Sequence, residues 1–140
     1  MIVLDTNVIS ELFRAAPDER VSAWLASQPA SALFTTAITQ AEILYGLALL
    51  PPGRRRDKLF SAIRPIFDED MSGKILPFDS DASSFYAEIA ARRRQNGQPI
   101  AQADAQIAAI VGSRGGSLAT RNSRDFIACG IDVVDPWNAA

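Results

Sequence analysis

An apolar run, Met1 to Leu4, breaks off abruptly at Asp5-Thr6-Asn7, and apolar residues then return at helical spacing as Val8, Ile9, Leu12 and Phe13. A short buried strand that ends in a carboxylate and passes straight into a helix is a building unit of open α/β sheets. Such sheets bind ligands outside the carboxyl ends of their strands. Asp5 and Thr6 are also both good helix N-caps. Position alone therefore leaves Asp5 between a capping role and a place in a site.

The rest of the chain alternates in the same way. A helix from Val8 should end near Ala15-Ala16-Pro17, because proline disfavours helix in the residue before it. Asp18 caps a second helix carrying Val21, Trp24 and Leu25, and Ala32 to Thr35 reads as a second strand. Thr35 or Thr36 caps a helix reaching about Leu50, where Pro51-Pro52-Gly53 stops it. A long helix follows over Arg54 to Asp70, kinked or split at Pro65. Ile75 to Phe78 is a third strand, and Asp79 or Ser80 caps a helix that Asn96-Gly97 ends. Pro99 suits the first turn of a helix running to about Val111, with Gly112 to Gly116 as a loop. Ser117 to Thr120 is a fourth strand, Ser123 caps a short helix with Asp125 and Phe126, and Ile131 to Val134 is the last strand. Alternating short strands and helices predict a three-layer α/β/α sandwich with a mainly parallel central sheet, in one domain over residues 1–140.

The 140 residues contain no histidine. That excludes Ser-His-Asp and Cys-His triads, imidazole acid–base pairs and histidine-bound zinc. An enzymatic site here has to rest on carboxylates, whose natural partner is a hard cation such as Mg²⁺ or Mn²⁺. The single cysteine, Cys129, rules out an internal disulfide and fits a reducing cytoplasm. No apolar run approaches the ~20 residues that span a bilayer, and Asp5 interrupts any signal-peptide core. With a net charge of −2, nucleic-acid binding would have to come from local basic patches.

Two further carboxylates stand out. Glu42 has Ile38, Thr39, Tyr45 and Gly46 one turn away and Leu49 beyond, so it interrupts a largely apolar helix face, unless an arginine pairs with it or a bend exposes it. Asp104 lies in a stripe of Ile100, Ala101, Ile107, Ala108 and Val111. Asp5 and Thr120-Asn122 follow predicted parallel strands and should reach the same sheet edge. Facing carboxylates without counter-charge repel, and a divalent cation relieves that repulsion.

Five blocks carry a resemblance to a known family. They are Leu4 to Glu11 (LDTNVISE), Thr39 to Gly46 (TQAEILYG), Ala101 to Ala109 (AQADAQIAA), Thr120 to Phe126 (TRNSRDF) and Asp135-Pro136-Trp137. In this order they resemble the PIN-domain ribonucleases, within them the VapC/FitB-like toxins of bacterial toxin–antitoxin pairs. The resemblance implies that Asp5, Glu42 and Asp104 hold Mg²⁺ or Mn²⁺ in an endoribonuclease, and that Thr120 is the polar residue ending the fourth strand. The wider family's fourth acidic position falls on Asn122, an amide, so a tightly held second metal is not expected. Asp125 substitutes only if its turn faces inward, and Thr6 and Asn7 are auxiliary candidates. A homodimer is implied, held inactive by an antitoxin through which promoter DNA is bound.

Arg54-Arg55-Arg56, with Lys58, opens a helix where positive charge opposes the dipole, and Arg92-Arg93-Arg94 ends one where it is favoured. Both clusters are candidate RNA or antitoxin contacts. Three other readings fit less well. An aspartyl-phosphate phosphatase needs an Asp where Asn7 stands, and a receiver domain needs an adjacent acidic pair at the first strand. A catalytically idle PIN-like binding module conflicts with an intact Asp5, Glu42 and Asp104.

Overall fold

The computed structural model describes residues 1–139. Five strands, β1 (Ile2–Leu4), β2 (Leu33–Thr36), β3 (Ile75–Leu76), β4 (Ser117–Ala119) and β5 (Asp132–Val134), form one sheet. Its order is β3-β2-β1-β4-β5 and every adjacent pair is parallel. The register sets Val3 beside Phe34 on one side and Leu118 on the other, with Leu118 beside Val133. Six helices surround the sheet: α1 (Thr6–Glu11), α2 (Glu19–Ala26), α3 (Ala37–Ala48), α4 (Arg54–Pro65), α5 (Ser80–Gln95) and α6 (Gln102–Arg114). None of them is long and apolar enough to cross a membrane.

The pleat divides the core between the two faces. Val3 and Leu118 pack with Ile89, Ile107 and Ile110 of α5 and α6 on one side. Leu4 and Ala119, one position on, pack with Val8, Val21, Ile43 and Ile63 from α1 to α4 on the other. Successive strand residues point to opposite faces, and both faces of this all-parallel sheet are covered, which is why these strands read as continuous apolar runs. From β1 the chain runs outward through β2 to β3, then returns to lay β4 and β5 on the other side. The carboxyl ends of β1 and β4 therefore sit at the point where strand order reverses, the usual ligand crevice of such a sheet.

The strand and helix pattern follows the sequence expectation, with local differences. α1 stops at Glu11, leaving Leu12 and Phe13 in turns. Thr36, not Thr35, caps α3 by accepting from Thr39 N at 3.0 Å. The Thr35 hydroxyl instead donates to the Leu4 carbonyl at 2.8 Å, locking β2 to the end of β1. Pro65 ends α4, and a wider π-helical turn, Ile66–Asp70, carries the chain on. Only Ile75 and Leu76 of the expected third strand are paired. Helix α6 begins after Pro99, with Ala101 as its N-cap, and continues through Gly112 to Arg114. A Cβ on Gly112 would lie 3.0 Å from the Phe85 ring of α5, so this glycine permits close packing inside a helix rather than opening a loop. The helix stops at Gly115, whose φ of +66° is the left-handed terminator that glycine adopts without strain.

Candidate active site

Asp5 follows β1 directly and is only 5% exposed. It caps α1, with Oδ1 accepting from Thr6 N at 2.8 Å. Its Oδ2 accepts from the buried Thr120 hydroxyl at 2.7 Å and from Asn7 Nδ2 at 3.5 Å. Capping and site placement are thus properties of one carboxylate. Asn7 ties the two strand ends together: its Nδ2 also donates to Thr120 Oγ1 (3.3 Å), and its Oδ1 accepts from Arg121 N (3.1 Å). Thr6 donates to Glu42 Oε1 at 3.1 Å and lies 3.2 Å from the Thr39 hydroxyl, so α1 and α3 meet through polar side chains.

Glu42 is exposed, as are Tyr45 and Leu49, each 66% accessible. Of the neighbours that sequence spacing gave Glu42, Thr39 is buried and Ile38 half-buried, whereas Tyr45 and Leu49 face water. The buried stripe of α3 is Thr39, Ile43 and Leu47, and Glu42 stands on its flank. Asp104 occupies the first turn of α6 and is half-buried. It lines a cleft of about 250 Å³ with Arg93, Pro99, Ile100, Ala101 and Asp125.

The electrostatics follow from this gathering. All three carboxyls titrate above their ordinary range. For Asp5 burial is the largest cause, opposed by the Thr120 and Thr6 hydrogen bonds and reinforced by the charge of Asp125. Partial loss of water around its carboxyl leads for Glu42, offset by the Thr6 hydrogen bond and reinforced by the charge of Asp5. Asp104 is pushed up to about 6 by burial and then by the charges of Asp5, Asp125 and Glu42, with Arg93 opposing. Among the described residues none of these acids has a salt-bridge partner.

The donor set, acidic oxygens with hydroxyls and amides beside them, fits a hard divalent cation. Among the described residues no group of three or more acidic side chains is placed to hold a metal ion as it stands. Mg²⁺ does not require such a group, because it keeps several waters and binds through one or two carboxylates.

Asn122 is exposed, and its backbone N donates to Thr120 Oγ1 at 3.1 Å. It, rather than Ser123, stands at the N-cap position of the 3₁₀ turn Ser123–Phe126, without a side-chain cap bond. That turn does bring Asp125 to the cleft beside Asp104.

The basic clusters fall differently from expectation. Arg54 and Arg55 are exposed at the start of α4, and Arg56 lies over the Phe60 ring at 5.6 Å. Arg92 and Arg94 are exposed, but Arg93 is only 7% accessible. Its guanidinium donates to the carbonyls of Gln98 (2.7 Å), Asp125 (2.9 Å) and Ile127 (2.8 Å), and Nη1 lies 3.6 Å from Cys129 Sγ. A side chain spent on three backbone carbonyls is not a surface contact for RNA or antitoxin, so Arg93 leaves that set. Sequence reasoning also passed over Arg121 and Arg124. They sit singly in the block after β4, whereas attention went to basic residues in runs.

Known proteins share this fold. The PIN-domain family profile matches residues 2–130. The chain is 44% identical to the VapC ribonuclease Y4jK of Sinorhizobium fredii over the full length of both. It is 41% identical to toxin FitB of Neisseria gonorrhoeae, over 99% of each chain. The solved structure of FitAB bound to an IR36 DNA fragment superposes with a TM-score of 0.92 at 39% identity, covering 100% of this chain and 98% of that one. With Asp5 and Thr120 directly after β1 and β4, Glu42 midway along α3 and Asp104 in the first turn of α6, and with this likeness along its whole length, the chain belongs to the PIN-domain family, among the VapC and FitB toxins.

Proposed function

We propose that this protein is a divalent-metal-dependent endoribonuclease, the toxin of a toxin–antitoxin pair. The observation that carries the reading is the gathering of Asp5, Glu42 and Asp104, acids without a salt-bridge partner among the described residues, in which the charge of Asp5 raises Glu42 and the charges of Asp5 and Glu42 raise Asp104. The likeness to a VapC ribonuclease and to a FitB toxin supports the choice of RNA and of the toxin role.

Asp5, Glu42 and Asp104 would hold Mg²⁺ or Mn²⁺. When bound, such an ion offsets the charge of the phosphodiester and lowers the pKa of a water. The chain's own residues set the geometry. Asp5 is fixed by Thr120, Thr6 N and Asn7, so its carboxylate cannot swing away. Thr6 steadies Glu42. Asp125 lines the cleft with Asp104, and Asn122, whose backbone N donates to Thr120 Oγ1, positions water or substrate. The protein acts in the cytoplasm as a homodimer, is silenced by its antitoxin, and meets promoter DNA only through that partner.

The test is incubation of antitoxin-free protein with total RNA in Mn²⁺, in Mg²⁺ and in EDTA, beside Asp104→Asn. Discrete metal-dependent products, absent with EDTA and with a folded variant, are expected. Equal silence from parent and variant, with no Mn²⁺ bound by calorimetry, would leave the chain an idle binding module.

A further inference from the structure

Beyond the acid cleft lies a second, more basic one. It has a volume of about 380 Å³ and is lined by residues of the turn after β4, among them Arg121, Asn122, Arg124 and Asp125, with Asp135 and Asn138 from the chain after β5. Asp125 lines both this cleft and the one that holds Asp104, so the two are neighbours across a single side chain. The volume is within the range of small-ligand sites.

Its two cations are uncommitted. Neither Arg121 nor Arg124 is in a salt bridge among the described residues, and both are exposed. Asp135 does not answer them, because Oδ1 accepts from Trp137 N at 2.9 Å and Oδ2 from Asn138 Nδ2 at 2.8 Å. Arg121 is nevertheless held in place. Its backbone N is bound by Asn7 in the acid site, and its guanidinium lies 5.1 Å above the centroid of the buried Trp137 ring. The indole thus anchors the guanidinium by a cation–π contact, while the side chain stays open to solvent.

From this juxtaposition we infer that the Arg121–Trp137 pair and Arg124 form a subsite for one single-stranded ribonucleotide next to the bond that is cut. The base lies on the outer face of Arg121 and the phosphate meets Arg124. Arginine planes are a recurrent platform for unstacked RNA bases. An acidic peptide would instead engage a guanidinium edge-on through its fork, and it gains nothing from a flat stacked face. The inference rests on the ribonuclease reading and extends it to where the substrate lies.

The experiment uses Asp104→Asn as a non-cleaving background and measures anisotropy of a short fluorescein-labelled single-stranded oligoribonucleotide. Arg121→Ala is expected to weaken binding roughly tenfold, the usual effect of losing one stacking platform. Arg121→Lys, which keeps the charge but not the plane, should lose nearly as much. Arg124→Gln should reduce the slope of log affinity against log salt by about one. In the cleaving parent, Arg121→Ala should raise KM and leave Mn²⁺ binding unchanged.

Unchanged RNA affinity in both Arg121 variants would overturn the subsite. So would unchanged RNA affinity with loss of antitoxin binding, which would assign the surface to protein. The two levels separate cleanly. A parent that cleaves RNA with KM unaffected by Arg121 keeps the nuclease and loses the subsite. A parent that never cleaves but binds RNA through Arg121 keeps the subsite and loses the nuclease.

Discussion

Burial and the charges of Asp5, Asp125 and Glu42 hold the Asp104 carboxyl at about 6, against the opposing charge of Arg93. Between its ordinary value of 3.8 and that folded value, the folded chain binds more protons than the unfolded one. Stability of the metal-free protein therefore falls as pH rises through this window. Asp104→Asn removes the penalty. In EDTA near pH 7 the variant should be more stable than the parent by about 1 kcal/mol, after allowing for solvent screening, and near pH 4 the two should coincide. Urea melts at both pH values check this, and added Mn²⁺ should then raise the parent's Tm more than the variant's. Thr120→Val acts in the opposite sense. It strips a buried hydroxyl from Asp5, Asn7 and Asn122 N at once, and should cost about 1–3 kcal/mol in a denaturation assay together with cleavage activity. Asp5 was legible because a carboxylate ending an apolar run is conspicuous. The Glu42 environment was misread because Tyr45 and Leu49 look like core residues but point to water.

At the scale of elements, α5 shows what a closer reading of spacing would have found. Its buried positions are Ala82, Ile89 and Arg93, with the half-buried Tyr86 between. Arg93 thus continues an inward stripe at helical spacing, while Arg92 and Arg94 fall outside it. Three like residues in a row hid this, because the run was read as a single charge cluster. Arg93 staples the carboxyl end of α5 to the loop before α6 and to the turn carrying Asp125. Arg93→Met leaves those carbonyls unpaired, and should lower stability by roughly 2–4 kcal/mol. Arg92→Ala and Arg94→Ala should stay within about 0.5 kcal/mol of the parent. Parallel urea titrations of the three variants decide it. The extent of α6 was hidden for a different reason. Gly112 and Gly115 are identical letters, and only the Phe85 ring against one and the positive φ of the other tell a packing glycine from a terminator.

Across the whole molecule, β1, β4 and α6 are the most enclosed elements. Val3 and the run from Ala108 to Val111 are fully buried. Their amides should exchange with deuterium only by global unfolding, at rates set by the full stability, while those of the Arg121–Asp125 turn exchange far faster. Mass spectrometry or NMR of the exchanging protein reads both. The sheet order was less legible than its strands, because pairing between β1 and β4 joins opposite ends of the chain. That pairing also governs when activity can appear. Thr120 reaches Asp5 across 115 residues of sequence. At ~5–20 residues per second of synthesis, the first carboxylate waits roughly 6–25 s for the hydroxyl that fixes it. A chain still being translated has its acids in water and no cleft to hold them. The acid cluster therefore takes shape only after β4 has been made, and until then the growing chain carries its carboxylates without the hydroxyl that fixes the first of them.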